Sequence, residues 1–259
     1  REYFRNLVED CIQEIYTMEH FCGNSHVVSF EDFKVVEYLD EIGWDISIRM
    51  EYLTSFMDYC TGKELTEKEV IKLGCDLAMA LIYCRKLNII HRDVKPENIF
   101  VSRFGDFKLG DFGIAREQAH TLSNMSKKGT YSYMAPEIYK GEKYDSSIDI
   151  YSLGIVLYKL MNQNRLSLDK QLITYRDKET ALARRMAGEK MPVPVNASAA
   201  FSHIILKACA YEPGKRYRKP EDMLRDLEKL RLAPVNAEKE WEKSQWELTN
   251  SAELERDQR

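Results

Sequence analysis

Three short blocks of this 259-residue sequence hold residue types that could do chemistry. The first is His91-Arg92-Asp93-Val94-Lys95-Pro96-Glu97-Asn98. Thirteen residues after Asn98 comes Asp111-Phe112-Gly113, and Ala135-Pro136-Glu137 closes the segment that begins with that glycine. Carboxylate and carboxamide oxygens are the ligands preferred by hard dications, and a positioned carboxylate can take the proton of an attacking group. A lysine nearby adds a mobile point charge. Singly, each tripeptide says little. Their order and spacing are what is specific.

The surrounding pattern shows what must position these blocks. From Tyr3 to Phe21 the apolar residues Phe4, Leu7, Val8, Cys11, Ile12, Ile15 and Met18 recur at helical steps, and Gly23-Asn24-Ser25 ends the run. Two strands are predicted over Val27–Leu39 and Trp44–Met50, joined at Asp40-Glu41-Ile42-Gly43. In the second, Trp44, Ile46, Ile48 and Met50 alternate with polar residues, the signature of a half-buried strand. Thr66-Glu67-Lys68-Glu69 reads as a capping box that opens a helix running to about Leu87. Short strands at Ile99–Val101 and Phe107–Leu109 flank a turn at Arg103–Asp106. Helices are predicted over Ile148–Met161, Phe201–Ala210 and Glu221–Leu230, the last with Pro220 at its start. The first two blocks therefore fall on loops, one after the long helix and one after the last short strand. The layout is α+β, with a small β-containing lobe and a larger helical lobe.

Composition narrows the possibilities. The 38 basic and 42 acidic residues leave a formal charge of −4, which gives no footprint for nucleic acid. Six scattered cysteines without a C-x-x-C pair argue against a zinc site or a disulfide framework and fit a reducing compartment. The longest apolar run, Leu77 to Cys84, is eight residues, whereas a spanning helix needs about 20. The chain begins with Arg1 rather than Met and is read as a fragment. After Pro234 the composition turns charged: residues 236–259 hold 7 acids and 4 bases, read as a solvated tail.

The three blocks together resemble the signature set of eukaryotic-type protein kinases, in their bacterial-like form, and the resemblance extends from about Tyr3 to Leu232. Asp149-Ile150-Tyr151-Ser152-Leu153-Gly154 and the stretch Tyr211–Arg218 contribute to it. It implies a bilobal α+β fold with a partial small lobe (1–52), a helical large lobe (53–234) and a charged tail (235–259). It implies ATP and Mg2+ as cofactors and a protein substrate with a Ser or Thr acceptor, since Lys95 at its position marks the Ser/Thr class. Phosphoryl transfer needs alignment and charge neutralisation more than covalent help. On the resemblance, Asp93 accepts or orients the substrate hydroxyl proton, Lys95 meets the γ-phosphate, and Asn98 and Asp111 hold magnesium. Glu14 matches the helix glutamate that pairs with an ATP-contacting lysine, Met50 the gatekeeper, Glu51 and Leu53 the hinge that bonds adenine, and Phe100 the floor under the base. Met18 is expected to stack with His91 and Phe112. Glu137 and Arg216 are expected to form a buried ion pair, and Asp149 to hold the catalytic-loop backbone. Arg92 is expected to meet a phosphate on Thr121, Ser123 or Ser126, and Thr130 to contact Asp93 and Lys95. The implied setting is cytoplasmic, or the cytoplasmic part of a longer membrane-anchored protein.

Two parts of the family pattern are missing. No two glycines stand two apart, so the glycine-rich phosphate loop is not in this sequence, and no lysine precedes Lys34 to partner Glu14. The first strands of the small lobe are therefore absent. The intact Asp93, Lys95, Asn98 and Asp111 favour an active parent enzyme over a non-catalytic scaffold. The polypeptide itself is expected to bind ATP weakly and to transfer phosphate poorly. Trp241, Leu248 and Ala252 fall near one helical face of the tail, a pattern that suits packing on the large lobe better than recruitment of a partner.

Overall fold

A computed structural model describes residues 2–38, 40, 42–111, 130–165 and 175–232. The chain opens with α1 (Glu2–Glu19), whose buried anchor is Ile15. Gly23, in the left-handed region at φ 83°, turns the chain beyond it. Strands β1 (Phe30–Tyr38) and β2 (Gly43–Met50) form an antiparallel ribbon in which Phe33 faces Ile48 and Val35 faces Ile46. The first strand begins three residues later than the Val27 predicted from sequence. Val27 instead makes an isolated parallel bridge to Leu109, with Val28 N–H donating to Leu109 O at 2.9 Å. A β-branched run cannot reveal which sheet it will join.

The second sheet has three short antiparallel strands in the order β3 (Thr54–Ser55), β4 (Ile99–Val101), β5 (Phe107–Leu109). Its middle pair is the one the sequence predicts. The two-residue β3 is too short to leave a periodic signal. Helix α2 (Phe56–Tyr59) follows β3 directly, capped by the Ser55 side chain.

Helix α3 (Glu67–Lys86) carries the predicted capping box: Thr66 Oγ1 accepts from Glu69 N–H at 3.3 Å, and Glu69 Oε2 accepts from Thr66 N–H at 2.9 Å. Arg85 and Lys86 in its last turn suit the negative end of the helix dipole. Its buried face meets α5 (Ser147–Leu160) and α8 (Pro220–Leu232) at Gly74, where a Cβ would lie 3.1 Å from Leu227 and 3.3 Å from Leu157. Helix α5 is buried from Ser147 through Tyr158, so it forms the centre of the larger core rather than one of its faces. The remaining helices are α4 (Pro136–Tyr139), α6 (Tyr175–Met186) and α7 (Ala199–Ala208). Helix α7 packs so closely on α5 that a Cβ on Gly154 would lie 2.8 Å from Ala208 and Cys209 side-chain atoms. All predicted helices of this part are present, while α2, α4 and α6 are additional; the first two are too short for a 3.6-residue period to register. No described helix is long and apolar enough to cross a membrane.

Candidate active site

The loop from His91 to Asn98 leaves α3 and enters β4, and its shape is set from below. Arg92 holds φ 67°, a conformation that costs a non-glycine residue free energy. Asp149, on α5, offsets that cost: its two carboxylate oxygens accept the His91 and Arg92 backbone N–H groups, each at 2.8 Å. Burial pushes the Asp149 carboxyl up to about 6, against the opposing pull of those two N–H donors. His91 in turn closes the loop onto the end of β5. Its Nε2 reaches Gly110 O at 3.1 Å, while Nδ1 accepts the Asp93 N–H at 3.3 Å. Both bonds are satisfied together by the neutral Nε2–H tautomer, since a carbonyl can only accept.

Three of the sequence-predicted residues meet at this loop. Asp93, buried at 4% exposure, accepts at Oδ2 from Lys95 Nζ at 2.7 Å and from Asn98 Nδ2 at 2.9 Å. Asn98 Nδ2 also reaches Asp93 O at 2.9 Å. Both partners of that nitrogen are acceptors, which fixes the orientation of the amide and leaves Oδ1 as its acceptor atom. The carboxylate is thus held in one place by a charged and a neutral donor. Asp111 is linked to this knot through the backbone, because Gly110 N–H donates to Asn98 O at 2.9 Å. Asp111 itself is exposed, with φ 54°.

Gly110 and Asp111 border a cleft of about 510 Å³. Met50, Glu51, Leu53, Phe100 and Asp111, all singled out from sequence, line it together with Met18. Glu14 belongs to α1, whose neighbouring residues Cys11, Ile15 and Met18 reach the cleft; the Glu14 side chain lies outside the described part. So do Phe112, Thr121, Ser123, Ser126, the Thr130 side chain and the tail with Trp241, Leu248 and Ala252. The cleft wall made by β2 is open: Ile48 and Met50 are 43% and 46% exposed, more than the half-buried pattern predicts. An apolar row that faces a cleft instead of a second layer stays in contact with solvent.

Sequence reasoning missed several contributors. Val28, Ile46 and Tyr52 line the cleft, as does Gly110, where a Cβ would meet Val28 Cγ2 at 2.8 Å and Phe100 Cε2 at 2.9 Å. Lys108, on β5, reaches Glu51 Oε1 at 2.6 Å, and the same oxygen accepts Ser29 N–H at 2.6 Å. Burial alone would raise the Glu51 carboxyl, but Lys108 and Ser29 outweigh it and hold it below the ordinary carboxylate range. The strut joins the segment beside β2 to the strand that leads into Asp111. Its ends are 57 residues apart, so no local motif could have announced it. Farther down, Arg216 takes both oxygens of Glu137 at 2.6 and 2.8 Å with neither side chain more than 4% exposed, the buried pair expected from sequence.

The model of the protein kinase domain matches residues 2–226. The chain belongs to the protein kinase family. Its α+β architecture is that of a kinase with a reduced small lobe. Among curated proteins, this kinase is 34% identical over 200 residues to a probable serine/threonine-protein kinase of Clostridium perfringens, covering 69% of this chain and 27% of that protein. It is 34% identical over 176 residues to the serine/threonine-protein kinase PknB of Mycobacterium tuberculosis, covering 64% and 27%. The serine/threonine-protein kinase pakH of Dictyostelium discoideum is 36% identical over 159 residues, covering 60% and 30%. The chain therefore spans little more than a quarter of the length of these relatives.

Proposed function

We propose that this kinase transfers the γ-phosphate of ATP to serine or threonine hydroxyls of a protein substrate. The observation that carries the reading is the knot at Asp93, where one buried carboxylate is held by Lys95 and Asn98, and Asn98 is bonded through its carbonyl to Gly110 of the apolar cleft. In this reading Asp93 accepts or orients the proton of the substrate alcohol. Lys95, already paired with Asp93, gives its positive charge to the incoming phosphate, so the two are aligned before substrate arrives. Asn98 through Oδ1 and Asp111 through its carboxylate would hold Mg2+, an oxygen set that fits a hard dication. When bound, the metal nucleotide supplies the phosphoryl group and neutralises its charge. Met50, Ile48, Val28 and Phe100 exclude water from the adenine, while the Glu51 carbonyl and Leu53 N–H hold its edge. With the lobes divided at residues 52 and 53, the nucleotide would lie between the β1–β2 ribbon and the helical part.

The reading is tested by nucleotide-transfer assays on the parent protein beside Asp93→Asn. Rate loss smaller than about tenfold would remove Asp93 from the role of base, since such groups are typically worth about 10²–10⁴-fold. A second reading, a kinase-like interaction scaffold without turnover, is favoured by the open β2 wall, with Ile48 and Met50 both exposed. It predicts that the parent protein binds no nucleotide in equilibrium titration.

A further inference from the structure

A second cavity, of about 380 Å³, shares no lining residue with the cleft. It lies between the end of α6, the turn that follows it and the end of α7. Gly188, at φ 88°, allows that turn to close against the Tyr211 ring. Arg185 lines this cavity and is 4% exposed. Its Nη2 donates to Tyr131 O at 3.2 Å, but Nε and Nη1 are buried without a hydrogen-bond partner among the described residues. A guanidinium cannot discharge itself by losing a proton, and no acid among the described residues pairs with this one.

The neighbouring charges do not cancel it. Arg185 and Arg216 both approach the Tyr151 ring, at 5.9 and 4.7 Å from its centroid. The buried acid there is Glu137, and Arg216 occupies both of its oxygens. Glu137 therefore has no oxygen left for Arg185. At the rim, Glu189 is paired with Arg184 and Glu212 with Lys215 at 2.7 Å, while Lys190 meets no acid among the described residues. Met191, Leu206 and Tyr211 supply apolar wall.

The geometry points to a binding site for a small phosphate-type oxyanion in this cavity, with Arg185 as its principal ligand and Lys190 at the rim. Arg185 lines the cavity with its free N–H groups buried, and on this inference the guanidinium turns towards the anion. Little holds it back, because only one of its five N–H groups is engaged. The volume exceeds that of inorganic phosphate, which leaves room for an organic group against Met191 and Tyr211. The inference is independent of the phosphotransfer reading.

The test is thermal unfolding and equilibrium titration of the 259-residue chain with inorganic phosphate and with phenyl phosphate, against chloride at equal ionic strength. A saturable rise in Tm is expected, on the order of 5–10 °C at about 100 times the dissociation constant. Phenyl phosphate binding more tightly identifies a phosphomonoester as the ligand class; equal affinity identifies free phosphate. Arg185→Met should abolish the response and leave Tm without phosphate unchanged or higher, because an unpaired buried charge has gone. Should that variant fail to fold, the exposed Lys190→Gln is expected to weaken binding several-fold. Asp93→Asn should bind as the parent chain does. No saturable response, or an undiminished one in both Arg185→Met and Lys190→Gln, would overturn the proposal.

Discussion

The His91–Asn98 loop and the cleft wall are built in opposite ways. The lower side, the loop His91–Asn98, is fixed by buried polar contacts: Asp149 holds its backbone and Asp93, Lys95 and Asn98 hold one another. The upper wall, β2 with the start of the Glu51 segment, presents Ile48 and Met50 to solvent and is joined to the lower part by the Lys108–Glu51–Ser29 strut. On the proposed function the loop needs position, because proton transfer and phosphate alignment fail with small displacements. The upper wall needs only an apolar surface of the right extent, for which burial by a ligand is sufficient. Rigid chemistry and adaptable contact are thus separated onto different elements.

That contrast can be broken from the lower side first. Asp93→Asn should reduce phosphate transfer by about 10²–10⁴-fold while leaving Tm within a few degrees, measured by product formation and by thermal unfolding of the same sample. Next comes the buried ion pair of the helical part. Arg216→Ala leaves Glu137 as an uncompensated buried carboxylate and should destabilise the helical part by about 3–5 kcal/mol in denaturant titration. A loss below about 1 kcal/mol would show that the pair is solvated in solution.

On the upper side the expected effects are smaller and fall on binding. Ile48→Ser changes a residue already 43% exposed, so stability should move by less than about 1 kcal/mol. Nucleotide affinity should nonetheless fall several-fold; equal affinity in a titration would take β2 out of the site. Away from both sides, Thr66→Ala removes the cap of α3 and should cost about 1 kcal/mol, a control for effects unrelated to the cleft.

The smallest effect is a pH dependence. Lys63, followed by the Thr66 donors, lowers the Glu69 carboxyl to about 2 from an ordinary value of 4.5. A carboxyl lowered on folding stabilises above its unfolded value, and that contribution disappears as pH falls from about 4.5 towards 2. Glu69→Gln should therefore flatten the acid limb of the stability curve in that window, slightly, because the group is exposed to solvent. An unchanged acid limb would mean that Lys63 does not hold Glu69 in solution.

Much of the lower side was legible in the sequence. His91–Asn98 is one contiguous stretch, and the spacing of Asp93, Lys95 and Asn98 already limits them to a single loop. The capping box of α3 was readable because it depends on two residues three apart. The β1–β2 ribbon was found with its start misplaced, since Val27 and Val28 suit either sheet and only the approach of Leu109 assigns them. Met50 was singled out as a cleft residue, yet its exposure was not foreseen. Alternation shows which residues share a face, not what that face meets.

By itself the sequence determined the chemistry available to this protein, the loops that carry it and the helices that support them, because those depend on contacts within a few residues. The tertiary structure alone decided the rest. Glu51 and Lys108 are 57 residues apart, Asp149 and His91 are 58 apart, and Arg185 and Tyr131 are 54 apart. Whether such charges find partners depends on how helices and sheets close on one another. For the first two pairs the closure supplies a full match. For Arg185 it leaves a buried cation beside a cavity, and no reading along the chain could have placed it there.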